Sequence, residues 1–192
     1  AAITCIKPSG TVSQLVDSAS GIHTRHSKYY IRRVRGDKKD PLSTFMTEQG
    51  IPSEDCVMRP ESTTVFSFPK KSPDNALLRD DLTAIQHLDL WLMYQKHWCE
   101  HKPSVTISVE EHEWVEVGSW IWKNFDDVSG VSFLPYDGGT YKQAPYEECS
   151  EEEYKELLHK MPTSIDWDSL IEVDDNVEGV QTLACTAGVC EI

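Results

Sequence analysis

The 192-residue chain is 39% hydrophobic and 26% charged and holds six tryptophans, a balance that excludes a disordered polypeptide and suits one domain with an appendage. Its formal charge of −14 excludes general binding to nucleic acid or to an anionic membrane surface. No apolar run approaches the ~20 residues of a membrane span, and no signal-peptide pattern opens the chain.

In chain order, "AITCIKPSGTVSQLV" reads as a short strand, a tight Pro-Ser-Gly-Thr loop, then helix or strand. "KYYIRRVR" sets β-formers among four cations, and "TTVFSFP" predicts a strand that ends at Pro69. From Leu77 to His101 apolar residues recur at steps of three and four, which predicts a helix. "PSVTISV" alternates as a strand does. Ser108 and Glu111 then form a capping-box pattern ahead of a helix with Trp114, Val117, Ile121 and Phe125 on its apolar face. "GVSFLP" predicts a buried strand, and Ser150 with Glu153 opens a helix bearing Tyr154, Leu157, Leu158 and Met161. Past Pro162 the periodicity fades. Strands alternating with helices predict an α/β fold.

Charge is placed unevenly. Residues 1–40 hold eight Lys/Arg against three Asp/Glu, whereas residues 146–192 hold two against thirteen. A basic head suits an anionic ligand, and an acidic tail stays solvated. The six cysteines, at positions 5, 56, 99, 149, 185 and 190, lack the density of a disulfide-stapled secreted domain, which implies a reducing, cytoplasmic compartment. The chain opens "AAITCIKPSG" without a methionine, as a piece of something longer would.

Two short motifs carry chemistry. In "CTAGVCEI", four residues including Gly188 separate Cys185 from Cys190, enough for the sulfurs to reach the ~2 Å of a disulfide. Such a pair on an acidic tail fits a dithiol shuttle that works by thiol–disulfide exchange. Two ordinary tail thiols, or half of a zinc site needing two further ligands, are the alternatives. In "KPSGT", Gly10 permits close backbone approach, the turn's N–H groups can cradle an anion, Ser9 and Thr11 add hydroxyls, and Lys7 stands beside them. A turn that binds nothing is the plain alternative, since the GxxxxGK[ST] spacing is missing. Arg25, Arg32, Arg33 and Arg35 either add cations to such a site or form a solvated or ion-paired face. "HWCEH" puts His97 and His101 on one helix face with Cys99 pointing away, which reads as a polar helix end rather than a metal site. Cys5, Cys56 and Cys149 read as packed or surface thiols.

Longer stretches carry a resemblance. "KPSGTVSQLVDSASGIHTRHSKYYIRRVR", "HWCEHKPSVTISVEEHEWVEVGSWIWKNF" and "SGVSFLPYDGGTYKQAPYEECSEEEY" resemble the adenosylcobalamin-dependent ribonucleoside-triphosphate reductases, the monomeric branch of the ribonucleotide reductase family. The resemblance implies the C-terminal part of a ten-stranded α/β barrel over residues 1–161, and a flexible acidic tail over 162–192. It implies that Pro8, Ser9, Gly10 and Thr11 hold the phosphates of a ribonucleoside triphosphate, and that Cys185 and Cys190 are the shuttle pair re-reduced by thioredoxin. In the family a thiyl radical made with adenosylcobalamin abstracts the ribose 3′ hydrogen, while two further cysteines reduce the 2′ carbon. The Asn-x-Cys-x-Glu loop that carries the radical cysteine is absent, as are those paired cysteines. The missing N-terminal part of the reductase is therefore an expected partner, and this chain alone is expected to be inactive. A diphosphate-using or two-subunit reductase fragment, or a non-catalytic dithiol relay and phosphate-binding module, are the other readings.

Overall fold

A computed structural model describes residues 2–9, 12–136 and 142–171. In chain order the elements are α1 (Val12–Leu15), β1 (Tyr29–Asp37), α2 (Pro41–Glu48), β2 (Ser53–Asp55), β3 (Thr63–Lys71), α3 (Ala84–His97), β4 (Thr106–Val109), α4 (Trp114–Lys123), β5 (Ser132–Pro135), β6 (Tyr146–Glu148) and α5 (Glu151–Lys160). They fall into two compact units. One draws on residues before 29 and from 72 to 136, the other on 29–71 and 142–171.

In the first unit β4 and β5 pair in parallel, Thr106 against Ser132 through Val109 against Pro135, with α4 as the connection between them. Parallel strands cannot be joined by a tight turn, so a crossover helix is the expected solution. Helix α3 starts at Ala84 rather than near Leu77, because Thr83 and Gln86 form a reciprocal capping box: Gln86 N–H donates to Thr83 Oγ1 and Thr83 N–H to Gln86 Oε1. Residues Arg79–Asp81 make only a 3-10 turn ahead of it. Helix α4 likewise begins later than the Ser108–Glu111 pattern predicts. The reciprocal pair is Glu110 and Glu113, and the latter's carboxylate also accepts from Ala84 N–H at 2.9 Å. The core joins Leu88 and Trp91 of α3 to Val105, Ile107 and Val109 on and before β4 and to Val117 of α4. Burying each such side chain stabilises the fold by about 1.5–3 kcal/mol. Trp91 is fully buried and still satisfied, its indole N–H donating to Pro103 O. Strand β5 is mostly exposed, contrary to the buried strand read from "GVSFLP".

The second unit is a four-stranded antiparallel sheet in the order β2-β3-β1-β6. β3 does not stop at Pro69. It runs two residues further, with Pro69 opposite Ile31. Ser67 N–H donates to Pro52 O, away from β1, so the same-parity position 69 also faces away from β1, beyond the end of β2, and the missing donor breaks no bond of the ladder. α5 is capped by Ser150 and Glu153 as the sequence predicts, and Tyr154 meets Tyr29 at 5.2 Å between ring centroids. Trp167 lies against Phe45 at 5.4 Å, and Asp166 N–H donates to Gln49 Oε1. No helix among the described residues is long and apolar enough to cross a membrane.

Candidate functional site

The Pro-Ser-Gly-Thr loop is the candidate whose surroundings can be built up from named bonds. Pro8 and Ser9 are described, whereas Gly10 and Thr11 lie outside the described residues, as do Cys185 and Cys190. The segment leading into the loop is fixed along the chain that follows α3. Glu100 N–H and His101 N–H both donate to Thr4 O, and Ser104 N–H donates to Ile6 O. These bonds resemble strand pairing, although residues 2–9 form no regular strand.

Ser9 is exposed, and its N–H donates to Ser20 Oγ at 2.9 Å. The next residue, Gly21, has φ +61°, and a Cβ there would lie 3.0 Å from Ile6 Cγ2 and 3.2 Å from Lys7 O. The Ser20–Gly21 turn therefore passes so close beneath the loop that only glycine fits without strain. Val12 N–H donates back to Ser9 O at 3.3 Å as α1 begins. In α1, Ser13 is 3% exposed and its Oγ has no hydrogen-bond partner among the described residues. A buried hydroxyl left unmatched costs about 1–3 kcal/mol. Ser13 did not stand out in the sequence, where a serine one turn into an apolar stretch carries no chemical signal.

The neighbouring cations divide. Arg25 is buried and spent on structure: its guanidinium donates to Ser18 O at 2.7 Å and Ser72 Oγ at 3.4 Å, with Asp17 at 3.8 Å. Arg32 donates to Pro145 O and lies 4.5 Å over the Tyr146 ring, Arg33 donates to Glu147 and Ala144 O, and Arg35 to Gln143 O. These three fasten residues 143–147, Arg33 through an ion pair with Glu147 and Arg32 and Arg35 through backbone carbonyls.

Three histidines of the first unit are held neutral. His23 sits below its ordinary range through burial, partly offset by the Ser20 carbonyl, and His87 likewise through burial, offset by the Ile22 carbonyl. Burial and then the Arg79 charge push His26 down to about 3. Among thiols, Cys149 is pushed up to about 11 by burial and by Glu153, Glu147 and Glu148, and burial raises Cys99. For Cys56 burial acts upward but is outweighed by the Met58 and Arg59 backbone N–H groups and by Arg35, so the thiol falls below its usual value. Among the described residues no three His, Cys, Asp or Glu side chains are grouped to hold a metal ion. A cleft of about 190 Å³ opens where β4 and β5 end, lined by Arg79, Asp80, Ser108, Glu110, His112 and Tyr136. Within it Tyr136 O–H donates to Asp80 Oδ1 at 2.8 Å and the Arg79 guanidinium lies 4.8 Å from the Tyr136 ring centroid.

In fold, the chain is similar to a B12-dependent, class II ribonucleotide reductase. It superposes on that crystal structure with a TM-score of 0.72 at 26% identity, over 90% of this chain and 24% of the other. The sequence is similar to particular enzymes of that kind: 30% identical over 98% of its length to the adenosylcobalamin-dependent ribonucleoside-triphosphate reductase of Euglena gracilis, and 28% to that of Lactobacillus gasseri. A probable enzyme of the same name from Dictyostelium discoideum is 33% identical over 81% of the chain. The resemblance read from the long stretches is thereby borne out. The chain spans about a quarter of these relatives, 26%, 26% and 21% of their lengths. No family model matches it.

Proposed function

We propose that the chain is the C-terminal portion of an adenosylcobalamin-dependent ribonucleoside-triphosphate reductase, contributing the substrate-phosphate loop and the shuttle dithiol. The similarity to such enzymes across 98% of the chain carries this reading. The unmatched Ser13 hydroxyl one turn beyond Ser9 supports it from the structure. With the Ser9 N–H held by Ser20, the Gly10 and Thr11 backbone, the Ser9 and Thr11 hydroxyls and the Ser13 hydroxyl are the groups left to donate to the oxygens of a ribonucleoside triphosphate, with Pro8 shaping the turn, which orients the ribose for reduction of its 2′ carbon. Residues 1–161 belong to the catalytic barrel, and 162–192 carry the dithiol.

Adenosylcobalamin supplies the radical chemistry of the whole enzyme when bound. No residue of this chain is assigned to it. The role of Cys185 and Cys190 is electron delivery. Their two thiols attack a disulfide formed in turnover, so that this disulfide becomes two thiols and a Cys185–Cys190 disulfide forms, with two electrons and two protons transferred. The dithiol of thioredoxin, in the cytoplasm, reverses the change on the tail.

The oxidised 192-residue chain, mixed with thioredoxin, thioredoxin reductase and NADPH, should consume NADPH in proportion to protein. Cys185→Ser and Cys190→Ser should each abolish that consumption, whereas undiminished consumption by either variant removes the shuttle assignment. In a parallel titration the wild-type chain should bind a ribonucleoside triphosphate, and Ser13→Ala should weaken binding about tenfold or more, the loss of one hydrogen bond to a charged group. Equal affinity in the two proteins would contradict the phosphate assignment.

A further inference from the structure

The Ser9 turn is fastened to the sheet by a histidine that the reductase reading does not use. His23 lies between two backbone groups: Thr106 N–H donates to its Nε2 at 3.0 Å, and its Nδ1 stands 2.6 Å from Ser20 O. Nε2 can accept only if it carries no proton, so Nδ1 must bear the ring's hydrogen and donate it to the Ser20 carbonyl. One tautomer, and only the neutral ring, satisfies both bonds. Thr106 is the first residue of β4, whose positions Ile107 and Val109 are fully buried in the core, so the ring is anchored to a core strand of its unit. On its other side Ser20 turns its hydroxyl to Ser9 N–H at 2.9 Å. The path runs Thr106 to His23 to Ser20 to Ser9, spanning 83 residues of sequence in its first step alone. His87, from α3, is the titratable neighbour. Its Nε2 donates to Ile22 O at 2.8 Å, holding the residue before His23.

We infer that His23 is a positioning residue: its Nδ1–H tautomer ties the Ser20–Gly21 turn, and with it the Ser9 backbone, to the start of β4, and so presets the loop for an anion. The anion half of this statement rests on the phosphate reading above, whereas the tie itself does not. A loop held in its binding geometry loses less freedom when the ligand arrives, which is how a residue that never touches ligand raises affinity.

The test uses the full 192-residue chain labelled with nitrogen-15. Ring spectra of His23 should show the Nδ1–H tautomer through neutral pH, and the opposite tautomer would overturn the proposal. In His23→Ala, Ser9 and Thr106 amides should exchange with solvent about tenfold faster or more, with Leu88 unchanged, as expected when a local opening loses its hydrogen bonds. His23→Gln keeps an acceptor where Nε2 was, and should restore protection at Thr106. Should His23→Ala fail to fold, Ser20→Ala removes only the hydroxyl between the turn and Ser9; it should free the Ser9 amide and leave Thr106 protected. Unchanged Ser9 exchange in the folded variants would overturn the tie. Inorganic triphosphate is the ligand probe: its affinity should fall in His23→Ala and recover partly in His23→Gln. Wild-type protein that binds no triphosphate would refute the phosphate reading, while the Ser9 amide still decides the tie on its own.

Discussion

Gly21 shows what a single atom decides at this site. Its left-handed φ of +61° and the Lys7 carbonyl 3.2 Å from a would-be Cβ act in the same direction. Gly21→Ala should therefore destabilise the chain by about 1–2 kcal/mol, the cost of left-handed backbone for an L-residue, read as a lower urea midpoint. The carbonyl is backbone and cannot step aside, so the same variant should also weaken triphosphate binding. Among the thiols, burial and three glutamates hold Cys149 at about 11, so at pH 8 it is almost wholly the unreactive thiol. Iodoacetamide at pH 8 followed by mass spectrometry should find Cys149 unmodified in folded protein, and rapid alkylation there would contradict the environment described. The Pro-Ser-Gly-Thr setting singles out Ser9 as a candidate. Ser13, Ser20 and His23 are not singled out, because their significance lies in a missing partner or in bonds to residues distant along the chain.

Elements were legible where composition alone decides them, and illegible where a cap or neighbour does. The β-formers of β1 and the alternation of β4 gave strands in the expected places. The start of α3 moved because Thr83 and Gln86 satisfy each other's backbone groups, while the apolar periodicity that begins at Leu77 says nothing about where N–H groups find partners. β3 ran past Pro69 because that position faces the side where β2 has ended, a fact of sheet order that no local pattern contains. Thr83→Ala removes the cap at the head of α3 and should cost about 1 kcal/mol by urea denaturation. Leu88→Ala, in the fully buried face of the same helix, should cost about 2–5 kcal/mol. A cost for Thr83→Ala as large as that for Leu88→Ala would mean the helix depends on its cap more than on its packing.

For the whole molecule, three histidines held neutral make folding depend on acid. In the unfolded chain each titrates at its ordinary 6.5, while in the fold His23, His26 and His87 all lie lower, His26 at about 3. Below 6.5 the unfolded state binds more protons, so stability falls as pH drops. The contribution is complete above pH 6.5 and erodes between there and the folded values. The urea midpoint should fall between about pH 7 and pH 5, where carboxylates are still mostly ionised, and a flat midpoint over that interval would contradict the buried, neutral rings. What was legible at this scale was the resemblance itself, since long stretches of sequence hold more information than any short motif. The Euglena gracilis reductase it resembles is about four times longer, and the chain itself holds no Asn-x-Cys-x-Glu loop.

The central claim is that these residues hold a nucleotide by its phosphates and pass electrons to its reduction through Cys185 and Cys190. The most direct measurement is deoxyribonucleotide formation, with adenosylcobalamin present, by a polypeptide that joins these 192 residues to the remaining part of a full-length reductase. Cys190→Ser in that polypeptide should abolish turnover with thioredoxin and spare it with dithiothreitol, a dithiol small enough to reach the reacting disulfide directly. Equal loss with both reductants, or deoxyribonucleotide formation by the 192 residues alone, would contradict the account.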